Sequence, residues 1–332
     1  MTNEPATRPV REVGAADLAY RPARSDELAT CAEIWRSSLN DYMGRLNLPE
    51  VPPELGPITR LYTHLQATDP ARFVVGLRQD QDAPEGSRIV AFGAAVQRER
   101  LWFLSMLFVL PEAQAGGVGR ALLARILPRE LEEFALATGT DSAQPISNAL
   151  YSSYGIVPRM PLMYLSGTPD RPEAFPALPS GISATRFEEV VGAAGDGAGH
   201  GALDAIIDDI DRELAGAAHP EDHRFLRGED RHGWLYRGPD GWPLGYGYAS
   251  ESGRVGPVAV RDEDLLAPVL GHILGGVRAR GSYAVWIPGH ADRAIVPALA
   301  AGLRLDQFPI LLCWSRPFAD FRRYLPISPG LL

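Results

Sequence analysis

An almost wholly apolar segment that runs into a glycine-rich turn and then a helix is the feature that most restricts how this chain can fold. Residues 101–110 are apolar at nearly every position and are followed by Pro111, which predicts a short strand buried on both faces. Residues 119–127 then have the amphipathic spacing of a helix. A helix leaves its first amides unpaired and is positive at its start, and glycines let the turn close around an anion. The segment therefore predicts a pyrophosphate site that needs no lysine.

The turn itself carries a motif. Gln114-x-x-Gly117-x-Gly119 resembles the Q/R-x-x-G-x-G/A motif of the GNAT superfamily of N-acetyltransferases, which also follows an apolar strand in that family. The motif lacks the Gly-Lys-Ser/Thr of a Walker loop, and it is not GxGxxG. A plain glycine turn between strand and helix is the alternative interpretation.

A second motif lies further along the chain. Residues 144–156 resemble the late N-x-A-A-x-x-L-Y-x-x-x-G-F segment of the same superfamily, and Tyr151 occupies the tyrosine position. Gln144 replaces the usual asparagine, and Ile156 replaces the usual phenylalanine. The interval between the two motifs suits one helix and one strand. The resemblance covers residues 18–166.

The resemblance implies where acetyl-coenzyme A binds and how it reacts. Main-chain amides of the turn would hold the pyrophosphate, and the end of the preceding strand would pair with the pantetheine arm. A primary amine would attack the acetyl carbonyl directly, with the Val109 N–H as a candidate oxyanion donor and Tyr151 as proton donor to the departing thiolate. The implied coenzyme-binding residues are Leu107, Phe108, Val109, Gln114, Ala115, Gly116, Gly117, Val118, Gly119 and Arg120.

The acceptor side of the site is less defined. An alkylammonium has a pKa near ~10, so a base or a water chain must remove its proton. No single base stands out among the candidates Glu99, Glu112, Asp141, Ser142 and His64. Trp35 and Tyr42 on the predicted first helix are candidates to line the acceptor pocket, although core packing explains Trp35 equally well.

A length of 332 residues and a repeated order of elements predict two domains. We expect a flexible arm over residues 1–16, a catalytic domain over 17–166, a proline-rich linker over 167–180, and a degenerate copy over 181–332. Each domain is predicted to be α+β, a mixed and mostly antiparallel sheet flanked by helices. In the second half, residues 258–266 contain no glycine and three carboxylates, and the late segment lacks the tyrosine. We therefore expect no coenzyme A there.

Composition limits the partners. The net charge of −9 argues against nucleic acid and would suit a cationic amine. No signal peptide and no apolar run of bilayer length are visible, so the cytoplasm is the expected location. The C-terminal run 327–332 is expected to be exposed and leaves a homodimer open.

Two further stretches have ordinary interpretations. His219-x-x-x-His223 has the spacing of a metal pair, but Pro220 lies between the histidines and no third ligand is evident, so we expect no metal. Glycine-rich residues 192–201 predict a mobile surface loop before an acidic helix over residues 203–214.

The sequence thus predicts an enzyme that transfers acetyl from acetyl-coenzyme A to a small-molecule primary amine. Three alternatives stay open. The acceptor could be a protein or peptide amine, or the protein could be a non-catalytic acetyl-coenzyme A sensor or scaffold. A nucleotide-binding protein is the third.

Overall fold

The computed structural model describes residues 14–83, 86–306 and 308–332. The α-helices in these ranges are α1 (Leu28–Arg45), α2 (Gly56–Thr68), α3 (Val118–Ile126), α4 (Pro145–Ser152), α5 (Phe187–Ala194), α6 (Asp196–Leu214), α7 (Pro220–Gly228), α8 (Leu266–Gly276) and α9 (Asp292–Ala300). The strands are β1 (Leu18–Pro22), β2 (Phe73–Gln79), β3 (Ser87–Arg98), β4 (Leu101–Val109), β5 (Ala135–Asp141), β6 (Val157–Gly167), β7 (Ser183–Arg186), β8 (Arg231–Arg237), β9 (Pro243–Ser250), β10 (Arg254–Val260), β11 (Tyr283–Pro288), β12 (Arg304–Leu305), β13 (Ile310–Trp314) and β14 (Tyr324–Leu325). Most pairings are antiparallel, whereas β4 with β5 and β10 with β11 are parallel. This mixed arrangement, flanked by helices, confirms the predicted α+β class.

Two compact units make up the chain. The first unit contains the described residues up to Val96 together with Met106–Leu127, and the second contains Gln97–Ser105 and Pro128–Leu332. The units do not follow the predicted boundary at residues 167–180, because β13 pairs with both β5 and β6 inside the second unit. The proline-rich stretch also places Phe175 in the core of that unit. The predicted domain limits stay a prediction from sequence similarity.

The first unit packs three helices with β1, β2 and β3, which pair in that order and antiparallel. Its core is aromatic: the Phe73 and Phe92 rings stack with centroids 5.8 Å apart, and Phe92 stacks on Phe108 at the same distance. The helix α3 buries one face, as its amphipathic sequence predicts. The buried side chains of α3 are Val118, Leu122, Leu123 and Ile126.

The second unit contains the longer run of strands. Its order is β4, β5, β13, β6, β11, β10, β9, β8 and β7, with β4 contributing Leu101–Ser105. The helix α8 is buried along most of its length against this sheet, because almost all of its residues are apolar.

Two expectations were wrong. Residues 196–201 are not a loop but the first turns of α6, and a Cβ at Gly199 would lie 2.2 Å from the Val191 carbonyl oxygen. The glycine there serves close packing of α6 on α5 rather than mobility. The C-terminal run is not exposed either, since Ile327, Leu331 and Leu332 are all buried.

Most of the predicted N-terminal arm, residues 1–13, lies outside the described residues. The remainder forms a single 3₁₀ turn, Ala15–Asp17. None of the helices built from the described residues combines the length and the hydropathy that crossing a bilayer requires.

Candidate functional site

The turn between β4 and α3 has the backbone conformation that the motif predicts. Pro111–Ala113 forms one 3₁₀ turn, after which Ala115 and Gly117 both adopt left-handed conformations, with φ of 70° and 77°. A left-handed alanine is uncommon, so this loop has a defined shape. Gly117 is the N-cap of α3, and it contributes no side-chain hydrogen bond to the helix start. Alternation of left-handed residues with others turns successive N–H groups to one side, which makes an anion-binding concavity.

The start of α3 can therefore receive an anion. The amides of Val118 and Gly119 are among the first in the helix, where helical geometry supplies no acceptor. Among the described residues, a Cβ added at Gly117 would meet only the Ala15 Cβ, at 4.0 Å. The constraint at Gly117 is its positive φ. Together these features fit the pyrophosphate of a coenzyme.

Three contacts inside the first unit hold this turn in place. The Ala15 N–H donates to the Gly116 carbonyl at 2.8 Å. The Val109 carbonyl accepts from Gln114 Nε2 at 3.0 Å and from Ser38 Oγ at 3.1 Å. The sequence motifs predict neither Ala15 nor Ser38 as part of the site. A polar residue on the buried face of α1 was the available signal for Ser38.

The end of β4 lies beyond its paired stretch with β5. The parallel register runs from Leu101↔Ala135 to Leu104↔Thr138. The predicted pantetheine-binding residues Leu107, Phe108 and Val109 follow this stretch and are half-buried. Because the Val109 carbonyl already accepts two side-chain donors, an incoming amide would have to compete for it. The pantetheine contact stays a prediction.

Tyr151 lies on α4 in the second unit and is only 6% exposed. Burial raises the pKa of its phenol well above the ordinary value, an effect that a side-chain hydrogen bond with Ser147 partly offsets. A phenol with a raised pKa keeps its proton at neutral pH. That protonation state fits the predicted role as a proton donor, which stays a prediction.

The candidate bases are mostly engaged. Glu99 pairs with Arg212 and Glu112 with Arg88, each at 2.8 Å. Asp141 Oδ1 accepts from the Ala143 N–H at 2.9 Å. The half-buried Trp35 and Tyr42 both lie on α1, as predicted, and their role toward an acceptor stays a prediction.

Comparison with protein families gives one match. Residues 34–156 match the model of the acetyltransferase (GNAT) family. Residues 34–156 are a GNAT segment. The segment includes the whole turn, α3 and Tyr151, so both motifs fall inside it. Proteins of this family transfer an acyl group from acetyl-coenzyme A to an amine. Comparison with curated proteins finds no match to the sequence.

Solved structures similar to this chain extend past the GNAT segment. A candidate acetyltransferase from Pyrococcus horikoshii matches with a TM-score of 0.69 and 11% identity, over 100% of both chains. A GCN5-related N-acetyltransferase from Sphaerobacter thermophilus matches with a TM-score of 0.59 and 17% identity, over 92% of this chain and 98% of that one. A tandem GNAT protein from the clavulanic acid biosynthesis pathway matches with a TM-score of 0.53 and 16% identity. The match covers 90% of this chain and 99% of that one. At these identities the likeness shows the fold alone, and it extends over 90% or more of this chain.

Proposed function

We propose that this protein is an N-acetyltransferase that moves an acetyl group from acetyl-coenzyme A to the primary amine of a small molecule. The turn that ends at Gly117 carries this proposal. Its left-handed residues and the uncapped start of α3 present main-chain amides where a diphosphate needs donors. Membership of residues 34–156 in the GNAT family supports the acyl chemistry.

The chain's own groups would act as follows. The amides of Val118 and Gly119 bind the diphosphate, and the unprotonated amine of the acceptor attacks the acetyl carbonyl. A carbon–nitrogen bond forms, the carbon–sulfur bond breaks, and the nitrogen releases a proton to a base or to water. The Tyr151 O–H, which the raised pKa of the phenol keeps protonated, donates a hydrogen bond and then its proton to the departing thiolate.

Two observations support a small-molecule acceptor. The net charge of −9 attracts a cationic amine. One protein of similar fold is described as belonging to the clavulanic acid biosynthesis pathway, whose product is a small molecule. A protein or peptide amine is the alternative acceptor. Activity measured against a panel of small amines and peptides would distinguish the two acceptor classes.

A non-catalytic acetyl-coenzyme A sensor is the second candidate function. Its support is that Glu99 and Glu112, two candidate proton acceptors, form ion pairs with arginines. A sensor would bind acetyl-coenzyme A tightly and release no free coenzyme A with any acceptor. Measurement of thiol release against a panel of small amines and peptides separates the two functions.

Binding is tested by calorimetry with acetyl-coenzyme A and a matched pair of variants. Gly117→Glu places a carboxylate in the turn, while Gly241→Glu makes the same change in a β8–β9 turn, at φ 79° and with no atom of the described residues within 4 Å of the new Cβ. Backbone strain is therefore alike in the two variants. We expect Gly117→Glu to abolish the binding heat and Gly241→Glu to retain it. Equal binding by both variants, or no heat with the unchanged protein, contradicts the proposal.

A further inference from the structure

Three buried side chains that could bind a metal ion lie close together in the second unit, and none of them belongs to the glycine turn. Asp211 comes from the end of α6, His219 precedes α7, and His223 lies within it. Asp211 Oδ2 is 2.8 Å from His223 Nε2 and 3.3 Å from His219 Nε2. One ligand atom from each of the three residues lies within 4.8 Å of the other two.

Local sequence explains why the histidines meet. Pro220 occupies the first position of α7, where its missing N–H costs nothing, and it therefore starts the helix instead of separating the pair. His219 becomes the N-cap, and the imidazole rings of His219 and His223 lie 4.5 Å apart, nearly parallel. The chain turns between α6 and α7, and this turn places the third side chain, Asp211, beside the two histidines.

His219 is the observation that points to a missing partner. Its side chain is buried, with 4% of the residue exposed, yet neither ring nitrogen has a hydrogen-bond partner among the described residues. Leaving a buried polar group without a partner destabilises the folded protein. A cation between His219 and Asp211 would remove that destabilisation by taking up the free lone pair.

The surrounding groups are arranged as outer partners of metal ligands. The Tyr246 hydroxyl donates to Asp211 Oδ1, and the Tyr248 hydroxyl lies 2.9 Å from His223 Nδ1. Such contacts on the far atoms orient ligating histidines and carboxylates.

We propose that Asp211, His219 and His223 bind a zinc-class transition-metal ion as a structural site that joins α6 to α7. The ligand set contains imidazole nitrogens, which Mg²⁺ and Ca²⁺ do not favour and Zn²⁺ does. With bonds of ~2.1 Å, tetrahedral Zn²⁺ holds its ligand atoms about 3.4 Å apart. The Asp211–His219 distance of 3.3 Å is close to that value, and the 2.8 Å Asp211–His223 distance would have to lengthen by about 0.6 Å.

The burial of the ligand groups agrees with this assignment. Asp211 and His223 are at most 1% exposed, which favours a structural ion over one that meets a substrate.

The experiment measures zinc retention and thermal stability. The full chain is unfolded, refolded with or without Zn²⁺, and dialysed, because a buried site is filled most readily during folding. We expect about one zinc retained per chain and a higher melting temperature than the protein refolded with Mg²⁺. Replacing Zn²⁺ by Co²⁺ should give the visible absorption of a tetrahedral cobalt centre.

His219→Phe is the decisive variant, because the His219 ring makes no hydrogen bond among the described residues and can be replaced without breaking one. We expect it to fold like the unchanged protein without metal and to bind zinc at least a hundredfold more weakly. His290→Phe, at an exposed histidine, is the control and should retain zinc. A strong chelator should lower the melting temperature of the unchanged, zinc-refolded protein, which tests the site without any variant.

The proposal is overturned if the unchanged protein retains no zinc, or if His219→Phe folds and retains as much zinc as His290→Phe. Should His219→Phe fail to fold, the chelator result decides: an unchanged melting temperature overturns the site. None of these readouts uses acetyl-coenzyme A, so they are independent of the proposed transferase activity.

Discussion

The turn from β4 into α3 and the turn from β10 into α8 have the same order of elements, but the starts of their helices differ. Gly117 precedes α3 in a left-handed conformation and adds no side-chain cap. Before α8, Asp262 is the N-cap of a 3₁₀ turn, and its carboxylate accepts from the Asp264 N–H. An anion at the second position would therefore meet a carboxylate that already fills its place.

The charged groups and the backbone contacts around the second turn also leave no place for an anion. Arg261 binds Asp209 and Glu213 at 2.5 and 2.8 Å, and the Val260 N–H donates to the Arg323 carbonyl. A cavity of about 750 Å³ lies beside Asp264, so space is not what this half lacks. The feature that distinguishes the first turn is therefore a helix start without a side-chain cap, and not the strand–turn–helix order or the presence of a cavity.

The largest expected effect tests Tyr151, whose counterpart is missing from the late segment of the second half. Tyr151→Phe removes only the phenolic oxygen, so we expect kcat to fall by about a hundredfold or more while the affinity for acetyl-coenzyme A holds. Steady-state kinetics and calorimetry measure the two quantities separately. Because burial raises the phenol pKa, the rate of the unchanged enzyme should not fall up to about pH 10 through loss of this proton. A Tyr151→Phe enzyme with full activity would show that the phenol is only a core residue.

The next largest effect is expected when a carboxylate like those of the second turn is placed in the first turn. Gly119→Asp puts a carboxylate into the first turn of α3, as Glu263 and Asp264 do before α8. Gly119→Asn has nearly the same shape without the charge and is the control. We expect the Asp variant to bind acetyl-coenzyme A about ten- to a hundredfold more weakly than the Asn variant, from about 1–3 kcal/mol of repulsion. The difference should shrink at high salt, and equal affinities would mean that the diphosphate binds elsewhere.

A smaller effect concerns how the first turn is held. Ser38→Ala removes one of the two side-chain donors to the Val109 carbonyl. A hydrogen bond contributes about 0.5–1.5 kcal/mol, so we expect acetyl-coenzyme A affinity to drop about two- to tenfold. Ser37→Ala, at the exposed neighbouring position on α1, should change nothing. If both variants bind alike, Ser38 does not help to shape the site.

Local patterns were enough to predict much of the first turn. The apolar strand, the glycines and the amphipathic helix are all encoded within a few residues, so residues 101–127 gave both the elements and the candidate site. The contacts of Ala15 and Ser38 with this turn were not predicted, because they join residues that are far apart in sequence.

The second half was harder to predict for two physical reasons. Its glycine-rich start is helical, because α6 packs closely on α5 at Gly199, and composition alone indicates a loop there. The two histidines have the spacing of a metal pair in the sequence, but the proposed third ligand, Asp211, was not predicted, because it reaches them only through the chain turn between α6 and α7. The role of Pro220 at the first position of a helix, by contrast, was a local signal that the sequence offered.

The smallest expected effect concerns the second turn and the carboxylate that caps it. Asp262→Ala removes the carboxylate that accepts from the Asp264 N–H, and we expect it to lower the free energy of unfolding by about 0.5–1 kcal/mol. Urea unfolding measures this loss, and Asp240→Ala is a matched control because its carboxylate makes a similar bond to the Trp242 N–H in a β-turn without a helix. Calorimetry should find no new acetyl-coenzyme A site in Asp262→Ala, since Glu263 and Asp264 remain. If such a site appeared, the cap alone would separate the two turns and the remaining carboxylates would not matter.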